Sequence, residues 1–120
     1  MRTFKQFAKA KTIPMGHCFE FAWEKARELF RQNQEGTVVH GTITQPFSQP
    51  PEKNLHAWVE VSDIVYDWQC MQGGCGGKFM GKGFPKKTFY ELFKPKKMKY
   101  YTPEQAMVMS IKHGHKGPWE

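Results

Sequence analysis

The stretch NLHAWVEVSDIVYDWQ, residues 54–69, constrains the fold more than any other part of the chain. Its apolar and polar residues alternate on both sides of Ser62-Asp63, which predicts two antiparallel strands. A two-residue turn at Ser62-Asp63 is one possible connection. A four-residue turn would keep the same residues on each face, whereas a three-residue turn or a bulge would not. The β-branched run TVVHGTIT from Thr37 to Thr44 predicts another strand. These segments predict a small antiparallel β-sheet.

The two strands of this hairpin place an imidazole and a carboxylate on one face of the sheet. With the turn at residues 62–63, Trp58 lies opposite Asp67, and His56 lies diagonally across from Asp67. Diagonal neighbours are about 5.5–8 Å apart at the backbone, within reach of an imidazole–carboxylate hydrogen bond. Trp58 shares this face and is expected to shield the pair from water, whereas Glu60 is expected to be peripheral.

Three helices are predicted, one long and two short. The long helix runs from Cys18 to about Asn33, because apolar residues recur at the spacing of one buried face: Phe19, Ala22, Trp23, Ala26 and Phe30. Capping-box patterns predict a short helix after Thr88 and another from residue 103 to about 113, ended by Gly114. The order of helix, strand, hairpin and small helices predicts an α+β fold.

Size and composition fit one globular domain, residues 1–120. Aromatic residues make up 15% of the chain, which favours a packed core over a disordered chain. No apolar run approaches the roughly 20 residues that span a bilayer, and the basic N-terminus lacks the apolar core of a secretory signal. Three cysteines are an odd number, which argues against a disulfide scaffold and for a reducing, cytoplasmic setting.

Cys18 stands where a reactive thiol is expected, at the start of the long predicted helix. The partial positive charge and free N–H groups of a helix N-terminus favour a thiolate and stabilise an oxyanion at an attacked carbonyl. A small cysteine buried in the core is the common alternative. With a base at His56 and an orienting carboxylate at Asp67, Cys18 completes the set of groups that thiol catalysis requires.

These motifs resemble the transglutaminase-like branch of the papain-like cysteine hydrolases. The matching features are a cysteine at a helix N-terminus, a histidine opening the strand HAWVEV, and an aspartate in VYDW on the next strand. The run VVHG…HAWVEV…VYD is also similar to the small peptidases that remove leader sequences from lasso-peptide precursors, and compact Cys-His-Asp domains of bacteria and phages are similar too. The resemblance covers about residues 15–69. It implies a papain-like core in which the helix that carries the cysteine packs on an antiparallel sheet.

The resemblance also implies a reaction and a role for each matching residue. Cys18 would be the nucleophile, His56 the general base and then the acid, and Asp67 the group that orients His56. The reaction would be acyl transfer through a thioester, as in a protease, amidase or deamidase, with no metal and no cofactor. Papain-like proteases often carry an oxyanion-binding glutamine before the cysteine, but Thr12 stands there in this chain. The remaining candidates for oxyanion or substrate contacts are His17, Trp58 and Gln69.

A zinc site and a nucleotide site are competing interpretations of other residues. Cys70 and Cys75 are suitable zinc ligands together with His113 and His115, but neither pair has the spacing of a standard zinc motif. The glycine-rich segment GGCGGKFMGKG fits neither common phosphate-loop pattern, which argues against a nucleotide site. We expect this segment to form a mobile loop beside the cleft. His40, within the first predicted strand, is expected to have its hydrogen-bonding groups satisfied.

The charge distribution favours an acidic partner. The net charge is +7, and eight lysines from Lys78 to Lys99 accompany a single acid, Glu91. Such a run attracts acidic protein surfaces or phosphates, but it lacks the arginines typical of base-edge recognition. The expected partner is therefore a protein or peptide substrate of acidic character. The alternative function is a non-catalytic basic module that binds an acidic protein or a nucleic acid.

Overall fold

The computed structural model describes residues 18–45, 50, 52–67 and 83–119. In chain order the elements are α1 (Cys18–Arg31), β1 (Thr37–Gln45), β2 (Glu52–Val61), β3 (Ile64–Tyr66), β4 (Phe84–Pro85), α2 (Lys86–Phe93), β5 (Lys96–Tyr101) and α3 (Pro103–His113). No helix in these ranges is long and apolar enough to cross a membrane. The predicted α+β class is confirmed.

The strands form one antiparallel sheet in the order β4-β3-β2-β1-β5. Strands β2 and β3 are the predicted hairpin, since Val61 pairs with Ile64 and the turn consists of Ser62 and Asp63. Ser62 has a positive φ of 54°, which suits the tight turns that join twisted strands. Strand β2 is longer than expected, since it begins at Glu52, two residues before the predicted hairpin stretch.

Each face of the sheet is covered by helices. Helices α1 and α3 cover one face, with a core of Ala22, Ala26, Leu29, Val38, Ala57, Val59, Ala106 and Trp119. Helix α2 covers the other, with a core of Val39, Ile43, Trp58, Val65, Phe84, Phe89 and Phe93. Because side chains alternate along a strand, Ala57 and Val59 of β2 contribute to the first core and Trp58 to the second.

Helix α1 begins at Cys18 as predicted and ends at Arg31, slightly before the expected end. The predicted buried face is partly wrong. Phe30 is 49% exposed, whereas Phe21 and Leu29 are buried. The reason is tertiary, because α1 packs against both the sheet and α3 and therefore buries a wider stripe than one apolar face.

One predicted capping box is present and the other is not. The Thr102 hydroxyl accepts a bond from the Gln105 N–H at 3.0 Å, and Gln105 Oε1 accepts one from the Thr102 N–H at 2.9 Å. Helix α3 then ends at Gly114, whose φ of 74° is left-handed, as expected of a C-terminal glycine.

Helix α2 begins before its predicted cap. Its first residue is Lys86, so Thr88 lies inside the helix and caps nothing. Pro85 precedes the helix without a side-chain cap, and the Lys86 N–H donates to the Asp63 carbonyl at 2.7 Å. The β2–β3 turn therefore fixes the start of α2, which a local sequence pattern does not reveal.

Strand β5 was not predicted, because KKMKYY lacks the apolar alternation of a half-buried strand. It pairs with β1 at the edge of the described sheet, and its lysines are exposed. Lysines on an edge strand discourage pairing with other chains.

Candidate functional site

The predicted contact between His56 and Asp67 is present. His56 lies on β2, and Asp67 follows directly after the last residue of β3. The hairpin register, continued by one residue, places Asp67 opposite Trp58 and diagonal to His56. The Nε2–H of His56 donates a hydrogen bond to Asp67 Oδ1, and both side chains are buried.

Cys18 joins this pair from the first residue of α1. Its side chain is within hydrogen-bonding reach of His56, and it retains 6% exposure, against 7% for His56 and 1% for Asp67. Helix α1 packs on the face of Ala57, whereas alternation turns His56 toward the opposite face. The end of the helix, rather than its packed flank, therefore brings the thiol to the imidazole.

The electrostatics of the site favour an imidazolium at His56. Burial by itself lowers the pKa of His56, but the charge and hydrogen bond of Asp67, together with the hydrogen bond and charge of Cys18, raise that pKa to about 10. Because Asp67 engages Nε2, Nδ1 is the ring nitrogen left for the thiol. An imidazolium held beside a sulfur stabilises a thiolate and stands ready to donate a proton.

Trp58 is completely buried and lies against the imidazole. The ring centroids of His56 and Trp58 are 6.2 Å apart, and the planes are inclined by 29°. Gly41, the neighbour of His56 on β1, leaves room for this indole, because a Cβ there would lie 3.2 Å from Trp58 Cη2. Trp58 thus occupies the position that the sequence predicted.

Glu60 is the residue that the sequence underestimated. Its carboxylate is buried and accepts a hydrogen bond from Trp58 Nε1 at 3.0 Å. The Tyr90 hydroxyl also donates to it, and the Lys86 ammonium lies 3.2 Å away. The sequence offered one signal, the position of Glu60 on the same strand face as His56 and Trp58, but its partners come from helix α2.

Other predicted residues are placed apart from this site or outside the described ranges. His17, Gln69, Cys70 and Cys75 lie outside them, as does most of the glycine-rich segment. The rings of His113 and His115 are 6.0 Å apart. Among residues 18–45, 52–67 and 83–119, no three potential metal ligands cluster.

The expectation for His40 is wrong. Both of its ring nitrogens are buried without a hydrogen-bond partner. The rings of Phe19, Tyr101 and Trp119 enclose it, with centroids 4.8, 5.0 and 5.0 Å from that of His40. The centroids of Tyr101 and Trp119 are 5.2 Å apart. This polar side chain is therefore held in an apolar cage. Such an arrangement is unusual, because a buried imidazole is normally hydrogen-bonded.

Comparison of the chain with protein-family models, with curated proteins and with solved structures found no match.

Proposed function

We propose that this protein is a cysteine-dependent acyl-transfer hydrolase, acting on an amide bond through a thioester. The observation that carries the proposal is the joint contact of Cys18 with His56 and of His56 with Asp67. Three groups from separate elements meet in the order that thiol catalysis requires: nucleophile, base and orienting carboxylate. We also propose that the fold is papain-like, of the transglutaminase-like kind.

The first half of the reaction breaks the substrate amide. The Cys18 thiolate attacks the carbonyl carbon, and the resulting oxyanion is stabilised by the partial positive charge at the N-terminus of α1 and by the backbone N–H of Cys18. The tetrahedral intermediate collapses as His56 donates its proton to the leaving nitrogen. The carbon–nitrogen bond breaks, an amine departs, and the acyl group remains on sulfur as a thioester.

The second half returns the enzyme to its starting state. His56, now neutral, removes a proton from water, and the hydroxide attacks the thioester carbonyl. The carbon–sulfur bond breaks, the carboxylic acid leaves, and the thiolate is regenerated beside the imidazolium. A substrate glutamine side chain would make the reaction a deamidation, and an amine in place of water would make it a transfer. A protein or peptide of acidic character suits the basic surface, and a reactive thiol suits the cytoplasm.

A second candidate function is a basic binding module without catalysis. The observation in its favour is the group of exposed lysines on and before β5: Lys94, Lys96, Lys97 and Lys99. No acidic side chain in the described part of the chain forms an ion pair with any of them. Free ammonium groups are available to an acidic protein or to phosphates, and such binding weakens steeply with salt.

The test is the pH dependence of iodoacetamide alkylation at Cys18, followed by peptide mass spectrometry. We expect Cys18 to be alkylated at pH 6 faster than Cys70 and Cys75, because the imidazolium of His56 lies beside its sulfur. His56→Ala should slow it at least tenfold at that pH, and Asp67→Asn should slow it less. Cys70 and Cys75 in the same digest provide the internal reference.

An unreactive Cys18 whose alkylation His56→Ala leaves unchanged would refute the hydrolase proposal. Binding of an acidic polypeptide or of single-stranded DNA, lost between 50 and 300 mM salt and unaffected by Cys18→Ser, would then support the binding module. A mass increase on Cys18 after incubation with an activated ester would instead demonstrate the thioester.

A further inference from the structure

Trp58 limits how the His56 ring can turn. The hydrogen bond from Nε2 to Asp67 fixes one edge of the ring, but Nε2 lies close to the axis about which the ring rotates. That bond alone restrains Nδ1, the atom left for the thiol, only weakly. The indole of Trp58 stacks beside the ring, with 6.2 Å between centroids and an inclination of 29°, so rotation of the imidazole toward that side would bring it closer to the indole.

Trp58 is itself fixed by Glu60. The indole is packed against Phe89, with 5.1 Å between ring centroids, and its only polar atom donates to Glu60 Oε2 at 3.0 Å. Packing sets how closely the indole can approach its neighbours. The hydrogen bond selects one orientation of the indole among those that the packing permits.

Helix α2 holds the Glu60 carboxylate in place. The Tyr90 hydroxyl donates to Glu60 Oε2, and the Lys86 ammonium lies 3.2 Å from Oε1. Burial, the hydrogen bond and the charge of Glu60 raise the pKa of Tyr90, so that its hydroxyl remains a donor. With partners at both oxygens, the carboxylate is fixed in plane and in position, and a buried charge is compensated.

We propose that Glu60 is a positioning residue for the reaction, which acts on His56 through Trp58. The inference rests on the proposed function, because positioning matters only if His56 exchanges protons with Cys18. Glu60 touches neither the thiol nor the imidazole. It keeps Nδ1 directed at the sulfur through both halves of the reaction, while the ring changes from imidazolium to neutral imidazole and back.

Two substitutions of Glu60 separate the effect of losing the hydrogen-bond acceptor from the effect of losing the negative charge. Glu60→Leu replaces the carboxylate with an apolar side chain and removes the acceptor for Trp58. Glu60→Gln keeps an oxygen that can accept from Trp58 Nε1, although it loses the ion pair with Lys86. Glu91→Leu, on the exposed surface of α2, removes a carboxylate that does not contact Trp58 and serves as the matched control.

The measurements are the alkylation rate of Cys18 against pH and the ¹⁵N resonances of His56. Glu60→Leu should slow alkylation at pH 6 about tenfold, because a small displacement of a reacting group costs up to a hundredfold in rate. Its His56 resonances should broaden or shift. Glu60→Gln should recover the rate to within about threefold of wild type, and Glu91→Leu should match wild type.

A structural role alone would give a different result. Glu60→Leu would then lower the urea midpoint while the folded protein kept the wild-type pH profile and His56 resonances, and this outcome would overturn the inference. Equal effects of the leucine and glutamine variants on the rate would overturn it too, since only one of them loses the acceptor. If His56→Ala does not affect Cys18 in an otherwise wild-type chain, the proposed function fails first, and the two failures are thereby distinguished.

Discussion

Acidification from pH 7.5 to pH 5 should destabilise the fold through one buried imidazole, that of His40. Its nitrogens have no hydrogen-bond partner, and the aromatic rings of Phe19, Tyr101 and Trp119 surround it. Gly117 closes the cage, since a Cβ there would lie 2.9 Å from the imidazole Cε1. Protonation would therefore place a charge where water cannot reach it.

The pKa of His40 gives the size of the effect. Burial, and secondly the positive charge of Lys99, lower this pKa from 6.5 to about 4. The unfolded chain therefore binds a proton at a higher pH than the folded chain, and stability falls as the pH drops from 6.5 toward 4. The full effect is about 3 kcal/mol, of which about 2 kcal/mol is lost between pH 7.5 and pH 5.

Urea unfolding at several pH values measures this loss in wild type, His40→Leu and His40→Asn. In wild type the urea midpoint should fall by about 1 M between pH 7.5 and pH 5 beyond the fall in either variant. Both variants lack the His40 imidazole. The comparison therefore uses the change in urea midpoint with pH and not the absolute stability, which depends on how well each variant packs.

An equal change in urea midpoint between pH 7.5 and pH 5 in wild type and in both His40 variants would refute this prediction. The imidazole would then be hydrated or hydrogen-bonded in solution, and the cage would not exclude water.

Three further predictions concern stability. Asp67→Asn should reduce the fall in stability expected of wild type as the pH rises from 6.5 toward 10, because Asp67 is the main group that raises the folded pKa of His56 and this favourable contribution is lost on deprotonation; urea unfolding across this range checks it. Thr102→Ala should cost about 1 kcal/mol through loss of its capping box, whereas Thr88→Ala, inside α2, should cost much less, by thermal unfolding. Trp119→Ala should cost about 3–5 kcal/mol, since the indole is 2% exposed in the core, and wild-type-like melting of this variant would contradict that placement.

Local sequence patterns predicted the elements whose cause is local. The start of α1 at Cys18, the turn at Ser62-Asp63 and the capping box at Thr102 all depend on neighbouring residues, and each is present. The patterns failed where contacts between residues far apart in the sequence decide the structure. Strand β5 exists because β1 offers it a partner, although its own sequence is mostly lysine and tyrosine.

The candidate site divides in the same way. Hairpin register sets the distance between His56 and Asp67, so the sequence predicted their contact. The buried role of Glu60 was not predicted, because a carboxylate on a strand is normally exposed unless other elements supply donors. Tyr90 and Lys86 supply them from a helix far along the chain.

The sequence by itself determined the α+β class, the hairpin that joins imidazole to carboxylate, and the position of a cysteine at a helix start. Periodicity, turn chemistry and capping act over a few residues, so they can be read from the chain directly. Only the tertiary structure decided that the end of α1 reaches His56, that α2 anchors Glu60 and that His40 is enclosed without a partner. Each of these depends on how helices pack on the two faces of the sheet, and packing joins residues whose separation in sequence carries no local signal.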